Sequence, residues 1–461
     1  MSSYVLRREV NTNEGDMNTS PRPRHPSTTS TVIYQYLGHE PFATYQNKVK
    51  ALCQEIWPSL KPEAFTVERR AGREENRIIK ITTDFSRKIE PRWLRCLNGA
   101  LMFAGYEEWV DPPKRGQFVI RIPRKESPWF NYEVGINEWV AEETGIPAPL
   151  TVKFQRLQNN KIGKPYVIQR FIRGRPLENT FYDLDYNQRV LIARDLGRAM
   201  VTMIQPEASS PAPGFLDTET YMKNGWTKNN VQPLELDVPF RGVYQNPAHA
   251  RAFPSKQQTT LMFLKSQISR QREYDLIRGY RGDFWRGAEQ VVEHLDDLEW
   301  FDDDRYCLTH LDLGPHNIIC GKHPHTGNLT VRLIEDWDLA IFAPMWLSLT
   351  PPSWLWTPEG EEPDEAKANN FQTDRDLQAI KDAFEENFDE TGWAYMYTPP
   401  SRIARVICRL AILSINSKED YMALHHALSE WNELYPDRKV RPLWDSLDPY
   451  ANDVVPPAEL E

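Results

Sequence analysis

His310-Leu311-Asp312-Leu313-Gly314-Pro315-His316-Asn317 and, further along, Glu335-Asp336-Trp337-Asp338 are the two runs from which the rest of this chain can be understood. Asp312 and Asn317 stand five apart, and Asp336 follows Asn317 by nineteen residues, just past the mostly apolar Val331-Arg332-Leu333-Ile334. A carboxylate that can take a proton from a hydroxyl, a carboxamide oxygen and a second carboxylate are the hard oxygen donors that Mg-ATP requires. Ile318, Ile319 and Cys320 form another apolar run directly after Asn317. The two runs are expected to pair as a hairpin that holds Asn317 and Asp336 on neighbouring elements. Asp312 is assigned as the base for a substrate hydroxyl, and Asn317 and Asp336 as the Mg²⁺ ligands. His310 is expected to brace the loop by hydrogen bonding rather than to carry protons, and His316 falls where the loop would face a nucleotide. A zinc-type centre is disfavoured, because His310, Asp312 and His316 lack a second His pair at HExxH-type spacing.

Upstream of this loop the pattern is helical. Ile192, Leu196, Ala199, Met200 and Met203 recur at helix spacing, as do Phe284, Ala288, Val291, Leu295 and Leu298, and both sets read as core stripes. Downstream, Met345-Trp346 through Ser353-Trp354-Leu355-Trp356 is rich in tryptophan and interrupted by Pro351 and Pro352. It is either the wall of an acceptor pocket or an aromatic packing loop.

The first part of the chain reads as a small mixed sheet. A helix is expected over about 43–57 with Val49, Leu52, Cys53 and Ile56 inward. Val67 through Ile81 reads as a hairpin whose turn contains Gly72, with Asn76 at its far side, where backbone N–H groups can lie over phosphates. In Gln117–Arg124, Phe118, Ile120 and Ile122 fall on one face and Val119, Arg121 and Pro123 on the other. A guanidinium on such a strand is costly unless paired. A nucleotide phosphate and the helix carboxylate Glu133 are its expected partners, with Glu138 on the same helix as the rival. That helix is expected to end before Gly145-Ile146-Pro147. Pro165–Ile172, which contains Gln169 and Phe171, reads as a strand whose end can offer backbone groups to an adenine edge. The stretch 84–116 lacks clear periodicity.

At 461 residues the chain can hold two or three structural units. We divide it into a disordered tail at 1–32, a nucleotide-binding part at 33–172 and a helical part at 173–461 with the catalytic loop and acceptor site. No run approaches the roughly 18 apolar residues of a membrane span. The net charge of -10 argues against nucleic-acid backbone binding. Five scattered cysteines without CxxC pairing point to a reducing compartment. Arg7, Arg8, Arg22 and Arg24 hint at mitochondrial import, but Glu9, Glu14 and Asp16 spoil that pattern and leave the cytoplasm as the expectation. No heptad or repeat marks an oligomeric state.

Taken together, these residues resemble the aminoglycoside phosphotransferase and choline-kinase-like branch of the protein-kinase-like fold, in particular its fungal phosphotransferase enzyme group. The resemblance runs from about 40 to 420 and is sharpest at 310–338. It implies an α+β fold with a small mixed β-sheet lobe and a larger, mainly helical lobe. Asp312 matches the family's base, while Asn317 and Asp336 match its metal ligands. Gly72 through Asn76-Arg77 resembles the phosphate-covering turn, Arg121 stands where a phosphate-pairing lysine is usual, and Glu133 is its helix partner. Thr144 through Pro149 resembles the connection after that helix. Three departures stand out: Arg73 in place of a second glycine, the long 84–116 insertion, and arginine in place of lysine, which exchanges a point charge for a planar fork. The implied activity is ATP- and Mg²⁺-dependent phosphorylation of a small hydroxylated molecule. The alternatives are a nucleotide-binding pseudokinase with a regulatory or scaffolding role and a protein kinase, the latter set back because no Ala-Pro-Glu segment follows Asp336.

Overall fold

A computed structural model describes residues 42–70, 76–84, 115–124, 130–225, 231–232, 258–277, 283, 285–302, 305–323 and 326–441. The expected tail at 1–32, the turn at Gly72 and most of the 84–116 insertion lie outside these residues. The chain divides into two compact units. In described residues the first comprises 42–134 and Pro149–Ile172, and the second comprises Gly135–Ala148 and everything from Arg173 onward.

The first unit begins with helix α1 (Phe42–Ile56), whose Tyr45, Val49, Leu52 and Cys53 are buried at the expected spacing. Strands β1 (Phe65–Arg69), β2 (Asn76–Asp84) and β3 (Arg115–Pro123) follow. After them come helix α2, which starts at Phe130 and runs to Trp139, and strands β4 (Thr151–Gln155) and β5 (Tyr166–Arg170). The five strands form one antiparallel sheet in the order β1-β2-β3-β5-β4. Alternation determines its inner face. Ile79 pairs with Ile120 and Ile81 with Phe118, so these side chains and Ile122 gather on one side and pack with the apolar stripe of α1. Burying each isoleucine contributes about 1.5–3 kcal/mol. Strand β5 is covered on both faces: Ile168 belongs to that core, while Val167 packs with Phe130, Val134 and Phe154. Past Trp139 the helix continues as a π-helical turn to Thr144 and stops at Gly145, whose φ of 73° is left-handed and suits glycine.

In the second unit, β6 (Arg175–Pro176) leads to helix α3 (Tyr186–Met203), opened by a reciprocal capping box between Asp185 and Gln188. The stripe predicted for α3 is buried as expected, from Ile192 to Met203. Short strands β7 (Ser209–Ser210) and β8 (Phe215–Leu216), helix α4 (Thr218–Asn224) and strand β9 (Val231–Gln232) come next. Helices α5 (Thr260–Ile277) and α6 (Trp285–Asp297) follow. In α6 the buried residues include Ala288, Val291 and Leu295, but Leu298 lies beyond the helix end, where Glu299 turns left-handed at φ 62°. Phe284 lies outside the described residues.

Four strands then frame the loops of interest: β10 (Tyr306–Thr309), β11 (Ile318–Lys322), β12 (Leu329–Ile334) and β13 (Ile341–Pro344). They build two antiparallel three-stranded sheets, β13-β10-β7 and β12-β11-β6. Residues 310–317 link β10 to β11, and residues 335–340 link β12 to β13, so both loops cross between the same two sheets.

The tryptophan-rich stretch is a packing loop. It forms helix α7 (Met345–Ser348) and a single 3₁₀ turn, with Trp346, Trp354 and Trp356 all buried. Trp354 meets Phe181 edge-on with ring centroids 5.4 Å apart, and Trp356 packs on Phe384 at 5.7 Å. Helices α8 (Arg375–Glu385), α9 (Glu390–Tyr397), α10 (Pro399–Leu413) and α11 (Lys418–Leu434) complete the unit. The buried Arg405 of α10 donates to the carbonyls of Trp346, Tyr395 and Met396 and pairs with Glu365, which fastens that loop to the helices.

Candidate active site

Strand β10 delivers His310 into the interior, where its ring is 2 % exposed. Its Nε2 lies 2.8 Å from the carbonyl oxygen of Glu335. A carbonyl only accepts, so Nε2 carries the proton, and Nδ1 is then free to accept the Asp312 N–H at 3.3 Å. Burial pushes the His310 pKa down and keeps the ring neutral, against smaller opposing effects from the Glu335 carbonyl and the Asp312 and Asp336 charges. The Trp337 ring packs on it at 4.5 Å, and the Trp337 indole donates to the Ile334 carbonyl at 2.8 Å. One histidine therefore ties the backbone of the first loop to that of the second.

Two residues hold uncommon backbone. Leu311 and Asp336 are left-handed, at φ 61° and 67°. Such a conformation costs a non-glycine residue about 1–3 kcal/mol and persists only where the surroundings enforce it. Here the enforcement is visible in the flanking bonds of His310, Asn317 and Glu335.

Asn317 is fully buried. Its side-chain nitrogen donates to the Asp312 carbonyl at 2.9 Å and to Asp312 Oδ2 at 3.3 Å. With the nitrogen so committed, the amide oxygen is the atom suited to a hard cation. The Asn317 carbonyl accepts the N–H of Glu335 at 2.8 Å, extending by one step the hairpin in which Ile318 pairs with Ile334. Asp336 follows immediately, so the expected pairing of the two apolar runs places its backbone beside that of Asn317. Asp312 Oδ2 also lies 3.2 Å from His316 Nε2, and both side chains are partly exposed, Asp312 at 41 % and His316 at 36 %.

Among the described residues, no group of three or more His, Cys, Asp or Glu is gathered so as to hold a metal by itself. An amide oxygen and one carboxylate fit Mg²⁺, which keeps water and takes its remaining ligands from phosphate oxygens.

The first unit carries the other candidates. Arg121 Nη2 lies 3.7 Å from Glu133 Oε2, with the two side chains 19 % and 17 % exposed, so Glu133 is a partner of the strand guanidinium. Glu138, the rival, has its pKa raised, chiefly by burial and secondarily by the Glu142 charge. Asn76 opens β2 opposite Pro123. Gln169 is buried in β5, paired with Val119 and Thr151. The Phe171 N–H donates to the Gln117 carbonyl at 3.0 Å and prolongs the β3–β5 ladder. A base edge would have to meet another group of that segment. The Phe171 ring instead lies under two cations, Lys80 at 4.8 Å and Arg70 at 6.0 Å.

The sequence reading passed over Glu335, whose carbonyl and N–H anchor His310 and Asn317. It also passed over the left-handed turn at Leu311. Neither leaves a trace in residue type, since one works through backbone atoms and the other is a leucine where glycine would be the signal.

The family model described as the phosphotransferase enzyme family matches residues 105–381, more than half of the chain. No curated protein matches significantly. Among solved structures, a thermostable aminoglycoside phosphotransferase APH(4)-Ia in complex with AMP-PNP and hygromycin B is 13% identical, with a TM-score of 0.40, covering 85% of this chain and 96% of its own. ADP-bound aminoglycoside phosphotransferase APH(2'')-Ib is 10% identical, with a TM-score of 0.40, covering 85% of this chain and 99% of its own.

Proposed function

This chain belongs to the phosphotransferase enzyme family and has the protein-kinase-like α+β fold, and from that premise we propose that it transfers the γ-phosphate of ATP to a hydroxyl of a small molecule. The acceptor oxygen attacks the γ-phosphorus, the bond from that phosphorus to the β–γ bridging oxygen breaks, and ADP leaves with the bond's electron pair. Asp312 takes the acceptor's proton. The observation that carries the reading is the pair of N–H donors, from Asn317 and His316, on one oxygen of the Asp312 carboxylate. They hold one oxygen of the base in place.

Asn317, through its amide oxygen, and Asp336, through its carboxylate, would hold Mg²⁺, which neutralises charge on the β and γ phosphates. Arg121, with Glu133 behind it, binds phosphate through a planar fork where a lysine would offer a point charge. Gly72 and Asn76 are the candidates for contact with the phosphates, and Gln169 and Phe171 for contact with the base. On this reading 33–172 is the nucleotide-binding part, and 173–461 carries the catalytic loop and the acceptor site. Among the described residues no helix is long and apolar enough to cross a membrane.

The test is a screen of hydroxylated metabolites with γ-labelled ATP and Mg²⁺. Label is expected in one small-molecule class with the intact chain and not with Asp312→Asn. Label appearing equally with both proteins would remove Asp312 as the base.

A further inference from the structure

We propose that His316 is a positioning residue for the base, holding Asp312 Oδ2 and so fixing the orientation of the carboxylate that takes the acceptor's proton. The inference rests on the reading of Asp312 given above.

Three observations converge on it. First, Nε2 of His316 lies 3.2 Å from Asp312 Oδ2, and a carboxylate only accepts, so the imidazole donates from Nε2. A ring donating there is not placed to act as the base itself. Second, the Asn317 side-chain nitrogen reaches the same oxygen at 3.3 Å. Two donors on one oxygen stop the carboxylate from turning about its Cβ–Cγ bond. Third, the loop is shaped around the ring. Pro315 opens a 3₁₀ turn over Pro315–Asn317, which brings residue 316 back toward 312. A Cβ at Gly314 would stand 2.6 Å from His316 Cε1 and 2.8 Å from Nδ1, so any side chain at 314 displaces the imidazole. Gly314, Pro315 and His316 thus act as one device for aiming Asp312.

The device acts on the chemical step, since its hydrogen bond runs from His316 to Asp312 and its packing from His316 to Gly314. Its loss leaves Asp312 present but with one donor fewer on Oδ2, and misplacement of a reacting group by about an ångström costs up to roughly 100-fold in rate.

The experiment measures MgATP hydrolysis by the full chain, in which water takes the acceptor's place and the products are ADP and phosphate. The variants are His316→Phe, which keeps a ring without the donor, His316→Gln, which restores an N–H near the Nε2 position, and Gly314→Ala. We expect His316→Phe and Gly314→Ala to lower kcat by about 10- to 100-fold with KM for ATP within about twofold, and His316→Gln to recover most of it. Wild-type kcat in His316→Phe, or Gln no better than Phe, overturns the proposal. A second readout is independent of turnover: long-range ¹⁵N–¹H NMR should find His316 protonated at Nε2 in the intact chain and as a tautomer mixture in Asp312→Ala. An Nδ1-protonated ring in the intact chain overturns the proposal. Absence of hydrolysis alongside the expected tautomer would count against the phosphotransfer reading alone.

Discussion

Six hydrogen bonds join His310, Asp312, His316, Asn317 and Glu335, whereas Arg121 and Glu133 face each other across 3.7 Å, beyond hydrogen-bonding reach. On the proposed function, the first arrangement fixes atoms whose position would govern the chemical step. The second keeps a cation near its counter-charge, and on the same proposal its fork would adapt to a phosphate. The contrast follows from what each region must do. The proposed base and metal ligands would act through geometry, which rigid backbone, including two left-handed residues, would serve. A phosphate-binding charge acts at longer range and tolerates looseness.

The contrast breaks most visibly at Asp312. Asp312→Asn keeps shape and hydrogen-bonding capacity but cannot take a proton, so transfer should fall by about 10²- to 10⁴-fold while ATP affinity holds within about twofold. Steady-state kinetics beside equilibrium binding checks this, and unchanged turnover would mean the loop is rigid for some other reason. Asp336→Ala should weaken nucleotide binding in Mg²⁺ by at least the roughly 10- to 100-fold that even outer-shell partners of a metal contribute, with little change in EDTA. Equal losses in both conditions would show Asp336 acting on the fold and not on the metal.

A subtler expectation concerns His310. Burial depresses its pKa, so as pH falls the unfolded chain binds this proton before the folded one does. The associated stability is present above the ordinary histidine value of about 6.5 and is lost as pH drops through it toward the depressed folded value, by at most about 1.4 kcal/mol per pH unit. Urea melts between about pH 7.5 and pH 5.5 should show a steeper loss for the intact chain than for His310→Gln. The smallest effect belongs to the looser region. Glu133→Gln should cost no more than about 1 kcal/mol of stability, because the ion pair is long and partly solvated. A loss of several kcal/mol on thermal or urea unfolding would show that the Arg121 region is as rigidly built as the loop.

Much of this was legible in residue order. The two-residue alternation of Phe118, Ile120 and Ile122 against Arg121 sets the sheet face, and the spacing of Ile192 through Met203 sets a buried helix stripe. The apolar runs on either side of 323–328 pair as anticipated, which brings Asn317 next to Glu335-Asp336. Other features left no local mark. The insertion of β5 between β3 and β4 is a long-range pairing that tertiary packing decides. The fate of the Phe171 N–H depends on where β3 happens to end beside it, and composition alone could not separate a packed tryptophan loop from a pocket wall. The aiming role of His316 needed the turn at Gly314-Pro315 to be seen, because a four-residue offset outside a helix brings no side chains together by itself.

Calorimetric titration of ATP into the intact chain, with Mg²⁺ and again with EDTA, goes to the centre of the account. It predicts saturable one-site binding that is markedly tighter with the metal. Absence of binding in both conditions would contradict it, and identical affinity in both would detach Asn317 and Asp336 from the nucleotide.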